Sequence, residues 1–174
     1  MKKRRFFALF LVLGLLVSLL SVPASAFEEI DVDARAALLV EKETGEILYE
    51  KNAHEKNYPA SITKLTVALL VFEAIDAGQL SLDQPITAHE SAFEGLSIYG
   101  STAGIKVGEV LTVEQLLQCM LIVSANEACN ILAEAVCGEG NIPQFVQRMN
   151  ERAAALGCEN THYVNTSGLH DPDH

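Results

Sequence analysis

Apolar and polar positions change their period along the chain, and each change marks an element. In "ARAALLVEKETGEILYEKN", Ala36 to Glu41 reads as a short apolar strand and Ile47 to Glu50 as its return. Lys42 to Glu46, with Thr44-Gly45, supplies the turn of a hairpin. "YPASITKLTVALLVFEA" is apolar or small from Ala60 to Phe72 apart from Lys64, and predicts a helix. Pro59 suits a first helical position and Gly78 a C-terminal cap. Residues 81–110 are rich in turn formers and predict irregular chain with short strands. Thr112-Val113-Glu114-Gln115 is a capping box, opening a helix that carries Val113, Leu116, Leu117 and Met120. "EACNILAEAVCG" predicts a helix ending at Gly138. "IPQFVQRMNERAAALG" predicts another, with Pro143 near its start and Gly157 after its end. "THYVNTSGLHDPDH" reads as loop or short strand. A hairpin followed by helices is α+β. The predicted helical core includes Val67, Leu70, Leu117 and Leu132. A lone hairpin is marginal and needs further strands or a packed helix, so the expectation is that its sheet continues in residues beyond His174.

The N-terminal pattern is of another kind. Lys2 to Arg5 are basic, Phe6 to Leu20 are apolar, and Ala24-Ser25-Ala26 is a small-residue cleavage site. That is the pattern of a secretory signal peptide over residues 1–26, with the mature chain running over residues 27–174. The rival is an uncleaved anchor, for which the apolar run is short. The formal charge of the chain is -11, and loss of the four basic leader residues makes it -15. A chain this acidic repels phosphates, which argues against nucleic acid and against electrostatic docking on an anionic membrane. Membrane association is otherwise not evident.

Cys119, Cys129, Cys137 and Cys158 permit disulfides in an exported chain, but the first three lie in helical apolar patterns and read as small buried hydrophobes. The histidines are scattered, no metal motif appears, and no cofactor is called for.

Lys64 is the position that the pattern does not explain. On a helix, Ser61 lies three residues before it and on the same face. Ser61 also falls in the first turn, where a backbone N–H is unpaired at the positive end of the dipole. One turn then offers a hydroxyl, an amine and a donor for a developing oxyanion. Apolar neighbours such as Ile62, Leu65, Val67 and Leu69 would desolvate the ammonium and lower its pKa, so that it could act as a base toward the serine. Against this, S-x-x-K arises by chance about once in a chain of this size, and many lysines snorkel to the surface. Downstream, Ser124-Ala125-Asn126 interrupts two helical patterns. It could present a hydroxyl and an amide at the rim of a core, or simply cap a helix-helix turn.

With their flanking residues, "ARAALLVEKETGEILYEKNAHEKNYPASITKLTVALL", "VGEVLTVEQLLQCMLIVSANEACNILAEA" and "THYVNTSGLHDPDH" resemble the serine D-alanyl-D-alanine carboxypeptidases, the low-molecular-mass penicillin-binding proteins. S-x-x-K, S-D-N and K-T-G mark the wider superfamily. The resemblance runs from about Ala34 to the last residue. It implies a β-lactamase/transpeptidase-like fold, here a helical subdomain with part of an antiparallel sheet. It also implies Ser61 as acylating nucleophile, Lys64 as general base, Ser124 as proton relay toward the leaving amine, and Asn126 as substrate-binding residue. The implied substrate is the D-Ala-D-Ala end of a peptidoglycan stem peptide outside the cytoplasm, with β-lactams as inhibitors. No K-T-G follows Asn126: Lys106-Val107-Gly108 lacks the hydroxyl, and Lys42 to Gly45 lies in the first hairpin. The expectation is a chain truncated before that motif and impaired in activity. Two alternatives stay open. A class A-like β-lactamase would share Ser61 and Lys64, but normally carries aspartate where Ala125 stands. A non-catalytic envelope binding module would need no third motif.

Overall fold

The computed structural model describes residues 31–174; the leader assigned to residues 1–26 lies outside the described residues. The chain divides into two compact units, with the boundary after Glu55.

The first unit is the hairpin. β1 (Ala37–Val40) pairs antiparallel with β2 (Ile47–Lys51), in the register Leu38 opposite Glu50 and Leu39 opposite Tyr49, with an irregularity between Leu39 and Val40. Glu41 ties the turn by accepting from the Thr44 N–H at 2.6 Å and its hydroxyl at 2.7 Å. Thr44 and Gly45 are the turn formers that the sequence offered there, and Gly45 takes φ +73°. Leu38, Leu39, Val40, Ile47 and Leu48 are all exposed.

The second unit holds four helices and a small sheet. α1 spans Thr63–Asp76, α2 Val113–Ile122, α3 Asn126–Cys137 and α4 Ile142–Ala155. β3 (Pro85–Thr87) pairs antiparallel with β4 (Val110–Thr112), Ile86 opposite Leu111. β4 runs directly into α2 through the expected capping box. The Thr112 hydroxyl accepts from the Gln115 N–H at 3.2 Å, and the Gln115 side chain accepts from the Thr112 N–H at 2.9 Å. α3 is the central helix: every residue from Asn126 to Glu134 is buried, and α1, α2 and α4 all pack on it. Ala128 and Ala133 let those neighbours approach, while Phe145, Leu116, Met120, Ile131 and Leu132 fill the space between. Each such side chain contributes about 1.5–3 kcal/mol by leaving water. Val67, Leu117 and Leu132 are buried as expected, and Leu70 is half-buried against them.

The start of α1 differs from the expectation. Pro59 flanks a short 3₁₀ turn, Ala60–Ile62, and the regular helix begins only at Thr63. Ala60 takes φ +47°, a left-handed conformation through which a right-handed α-helix does not continue. The apolarity of α1 also misleads on one face. Val67, Val71 and Ala74 are buried, but Ile62 and Leu65 are 67% and 62% exposed, so they do not surround Lys64.

After α4 the chain is irregular, as its polar composition predicts. Asn150 of α4 clamps it, accepting from the Tyr163 N–H at 2.7 Å and donating to the Tyr163 carbonyl at 2.8 Å. The Tyr163 hydroxyl meets the Thr66 hydroxyl on α1 at 2.9 Å. This brings residues 165–168 back to the N-terminal end of α1.

Candidate active site

Four sequence-predicted residues, Ser61, Lys64, Ser124 and Asn126, converge here. The 3₁₀ turn carries Ser61, and its backbone bonds run from the Ile62 N–H to the Pro59 carbonyl and from the Thr63 N–H to the Ala60 carbonyl. This ladder does not use the Ser61 N–H. One turn on, Lys64 points inward and is 2% exposed. Its Nζ lies 3.1 Å from Ser61 Oγ, 2.9 Å from Asn126 Oδ1 and 2.6 Å from the Ser167 carbonyl. Ser124 Oγ donates to Ser61 Oγ at 2.9 Å.

The S-A-N break does not cap a helix. Ala125 is the residue before α3, and no side-chain cap bond forms there. Ser124 instead takes φ +60°, which turns its hydroxyl onto Ser61. Asn126 is the first residue of α3, held by its N–H to the Ser101 carbonyl at 2.9 Å. Gly100 makes room for it, because a Cβ there would meet the Asn126 amide. Left-handed non-glycine residues cost of order 1–3 kcal/mol each and gather at functional sites. Two of them, Ala60 and Ser124, sit at this cluster.

Burial pushes the Lys64 pKa down, and only an ionised Cys129 would oppose that shift. Cys129 is fully buried, and burial pushes its thiol up to about 12. It is therefore a neutral thiol at working pH and supplies no counter-ion. The Lys64 amine is thus held by neutral oxygens, and of the apolar neighbours that the helical pattern suggested, Ile62 and Leu65 face solvent. The ammonium has three protons and three acceptors. When it loses one, the two carbonyl oxygens still require N–H donors, since a carbonyl only accepts. The lone pair is then left facing Ser61 Oγ. Such a site can take a proton from the serine hydroxyl.

The sequence reading did not single out residues 165–168. Asn165 Oδ1 accepts from the Ser167 N–H at 3.1 Å and the Gly168 N–H at 2.7 Å, and its amide donates to the Leu169 carbonyl at 2.9 Å. Gly168 has φ +79°, and a Cβ there would collide with the Ala60 carbonyl. Thr166 donates to Asn130 Oδ1 at 2.6 Å, and Asn130 donates to the Ala92 carbonyl at 2.9 Å, both bonds being buried. The signal was N-T-S-G itself, an Asn two and three residues before a Gly turn. What it lacked was any hint that a backbone carbonyl would matter.

A cavity of about 230 Å³ opens beside Asn126, lined also by Phe93, Leu96, Ile98, Gly100 and Ile105. Larger hollows of about 580 and 390 Å³ are lined by none of the four site residues. Among the described residues no group of three His, Cys, Asp or Glu side chains could hold a metal ion. Among them, too, no helix is long and apolar enough to cross a membrane.

Residues 23–174 match the family described as Peptidase_S11, D-alanyl-D-alanine carboxypeptidase. The chain is similar to D-alanyl-D-alanine carboxypeptidase DacF of Bacillus subtilis (strain 168), 35% identical over 91% of this chain and 41% of the relative. Its fold is similar to the crystal structure of D-alanyl-D-alanine carboxypeptidase DacD from Francisella tularensis. The TM-score is 0.75, with 36% identity over 83% of this chain and 34% of that one. It is also similar to Penicillin-Binding Protein D2 from Listeria monocytogenes in an ampicillin-bound form. There the TM-score is 0.69, with 31% identity over 85% of this chain and 57% of that one. The chain thus spans about two fifths of the length of the curated relative it matches. The fold is the β-lactamase/transpeptidase-like one of these proteins, represented by its helices and small antiparallel sheets.

Proposed function

The chain belongs to the Peptidase_S11 family of D-alanyl-D-alanine carboxypeptidases, and from that premise we propose that it carries the acylating centre of a serine D-Ala-D-Ala carboxypeptidase. The substrate is a peptidoglycan stem peptide ending in D-Ala-D-Ala. Neutral Lys64 takes the Ser61 proton as Ser61 Oγ attacks the carbonyl between the two D-alanines. The Ser61 N–H receives the developing oxyanion. The C–N bond breaks, and the proton passes by way of Ser124 Oγ to the departing D-alanine amine. Water then hydrolyses the Ser61 ester and frees the shortened peptide. Asn126 holds the substrate beside Lys64.

The observation that carries this reading is the contact of Ser61 Oγ with both Lys64 Nζ and Ser124 Oγ, at 3.1 and 2.9 Å. The family match and the carboxypeptidase relatives favour it over the β-lactamase alternative. The ampicillin-bound relative supports β-lactams as ligands. A stem-peptide substrate lies outside the cytoplasm, which fits the exported leader read in residues 1–26.

Intact-mass spectrometry after prolonged exposure to penicillin tests the proposal. One adduct is expected, on the peptide containing Ser61, and none on Ser61→Ala. An adduct that survives that substitution, or no adduct on the folded wild type, overturns it; the second result is what a passive binding module would give.

A further inference from the structure

We infer that Asn165 is a positioning residue for the base: it folds the 165–168 turn so that the Ser167 carbonyl aims the lone pair of Lys64 at Ser61. The inference rests on the acyl-enzyme reading for its consequence and on the structure for its geometry. A neutral lysine amine is a free rotor with two N–H donors and one lone pair. It is a directed base only if two acceptors hold both donors. Asn126 Oδ1 is one, at 2.9 Å, and the Ser167 carbonyl is the other and nearer, at 2.6 Å. With either acceptor gone, the lone pair can turn away from Ser61.

Ser167 belongs to no regular element, because residues 165–168 lie outside helices and strands. Within the turn one side chain makes most of the bonds. Asn165 Oδ1 takes the N–H groups of Ser167 and Gly168, and its Nδ2 holds the Leu169 carbonyl, so three bonds fix the peptide units on both sides of Ser167. Gly168 brings the turn against the Ala60 carbonyl, as only a residue without Cβ can. The neighbouring Thr166–Asn130–Ala92 bonds anchor the turn to α3, but they do not orient the Ser167 peptide. An alanine at 165 removes these three bonds and the longer one from the Ser167 hydroxyl at 3.4 Å, whereas an aspartate keeps the acceptor for both N–H groups.

The full chain is used to test this, with Asn165→Ala and Asn165→Asp. The direct readout is the acetylation rate of Lys64 by acetic anhydride, measured by peptide mass spectrometry, with helical circular dichroism as the folding check. In the wild type Lys64 is covered and is expected to react slowly. Asn165→Ala is expected to keep its helices, to raise Lys64 acetylation at least tenfold and to slow acylation by penicillin at least tenfold. Asn165→Asp is expected to hold Lys64 acetylation near the wild-type rate. Unchanged Lys64 acetylation in Asn165→Ala overturns the inference whatever happens to penicillin. So does loss of helical structure in that variant, which would make Asn165 a support of the fold, or a folded Asn165→Asp that exposes Lys64 as alanine does. If the wild type takes no penicillin, the acyl-enzyme reading fails, and Lys64 acetylation still decides the role of Asn165.

Discussion

In β1 and β2 the apolar side chains are on the outside; around Lys64 the polar side chains are on the inside. Leu38, Leu39, Ile47 and Leu48 each expose more than half of their surface, while Lys64, Asn126, Asn130, Thr166 and Ser167 are all buried. Both arrangements reverse the usual placement of residues, but their energetics differ. The buried groups are bonded to one another and to backbone carbonyls, so little of their hydrogen-bonding capacity is lost. The exposed hairpin gains nothing comparable for its uncovered apolar area. A buried polar network whose members are matched in this way is sensitive to every member. An uncovered strand surface tolerates change and tends to stick.

The largest expected effect therefore lies inside. Lys64→Arg keeps a cation but cannot release a proton at working pH. Penicillin acylation of Ser61 should fall by about 10²–10⁴, the usual contribution of a general base, while helical circular dichroism is retained. Near-normal acylation in the variant would show that charge alone suffices there. A smaller effect, on stability, is expected from Asn130→Ala. It strands the Thr166 hydroxyl and the Ala92 carbonyl, at about 1–3 kcal/mol each for an unpaired buried group. A urea titration followed by helical signal should show a lower midpoint. An unchanged midpoint would mean that the buried polar network is not coupled to folding.

These two substitutions also mark what the sequence could and could not reveal. Lys64 was legible because a single charge in an apolar run has no packing role, and Ser61 follows from it by helical spacing; Ser124 and Asn126 were legible as a break between two helical patterns, and as site residues only through the family resemblance. The helices were legible where caps and glycines punctuate them, as at Thr112 and Gly138. The left-handed Ala60 was not, since nothing in "YPAS" signals that an alanine must break the helix before Thr63. Nor was the cage around Lys64. It is built from a carbonyl of residue 167, 103 positions away, and backbone atoms carry no signature in a sequence.

The smallest effect is expected on the hairpin. Leu38→Thr with Leu48→Thr should change the stability of the helical unit by less than about 0.5 kcal/mol, because both side chains are already 56% exposed. Association on concentration, followed by light scattering, should nevertheless decline. A large loss of helical stability would mean that these leucines are buried in solution, and the contrast between the two regions would collapse.

The central claim is that Lys64 is buried among neutral oxygens in order to work as an amine rather than as a cation. The most direct measurement is the rate of Ser61 acylation by penicillin as a function of pH in the wild-type chain. Burial lowers the Lys64 pKa, and the neutral fraction rises with pH, so the account predicts a rate that climbs with pH. Its midpoint should lie below the ordinary lysine value of about 10.4, and the climb should be absent in Lys64→Arg. A rate that rises only through the ordinary lysine range, or a climb that persists in Lys64→Arg, would contradict it.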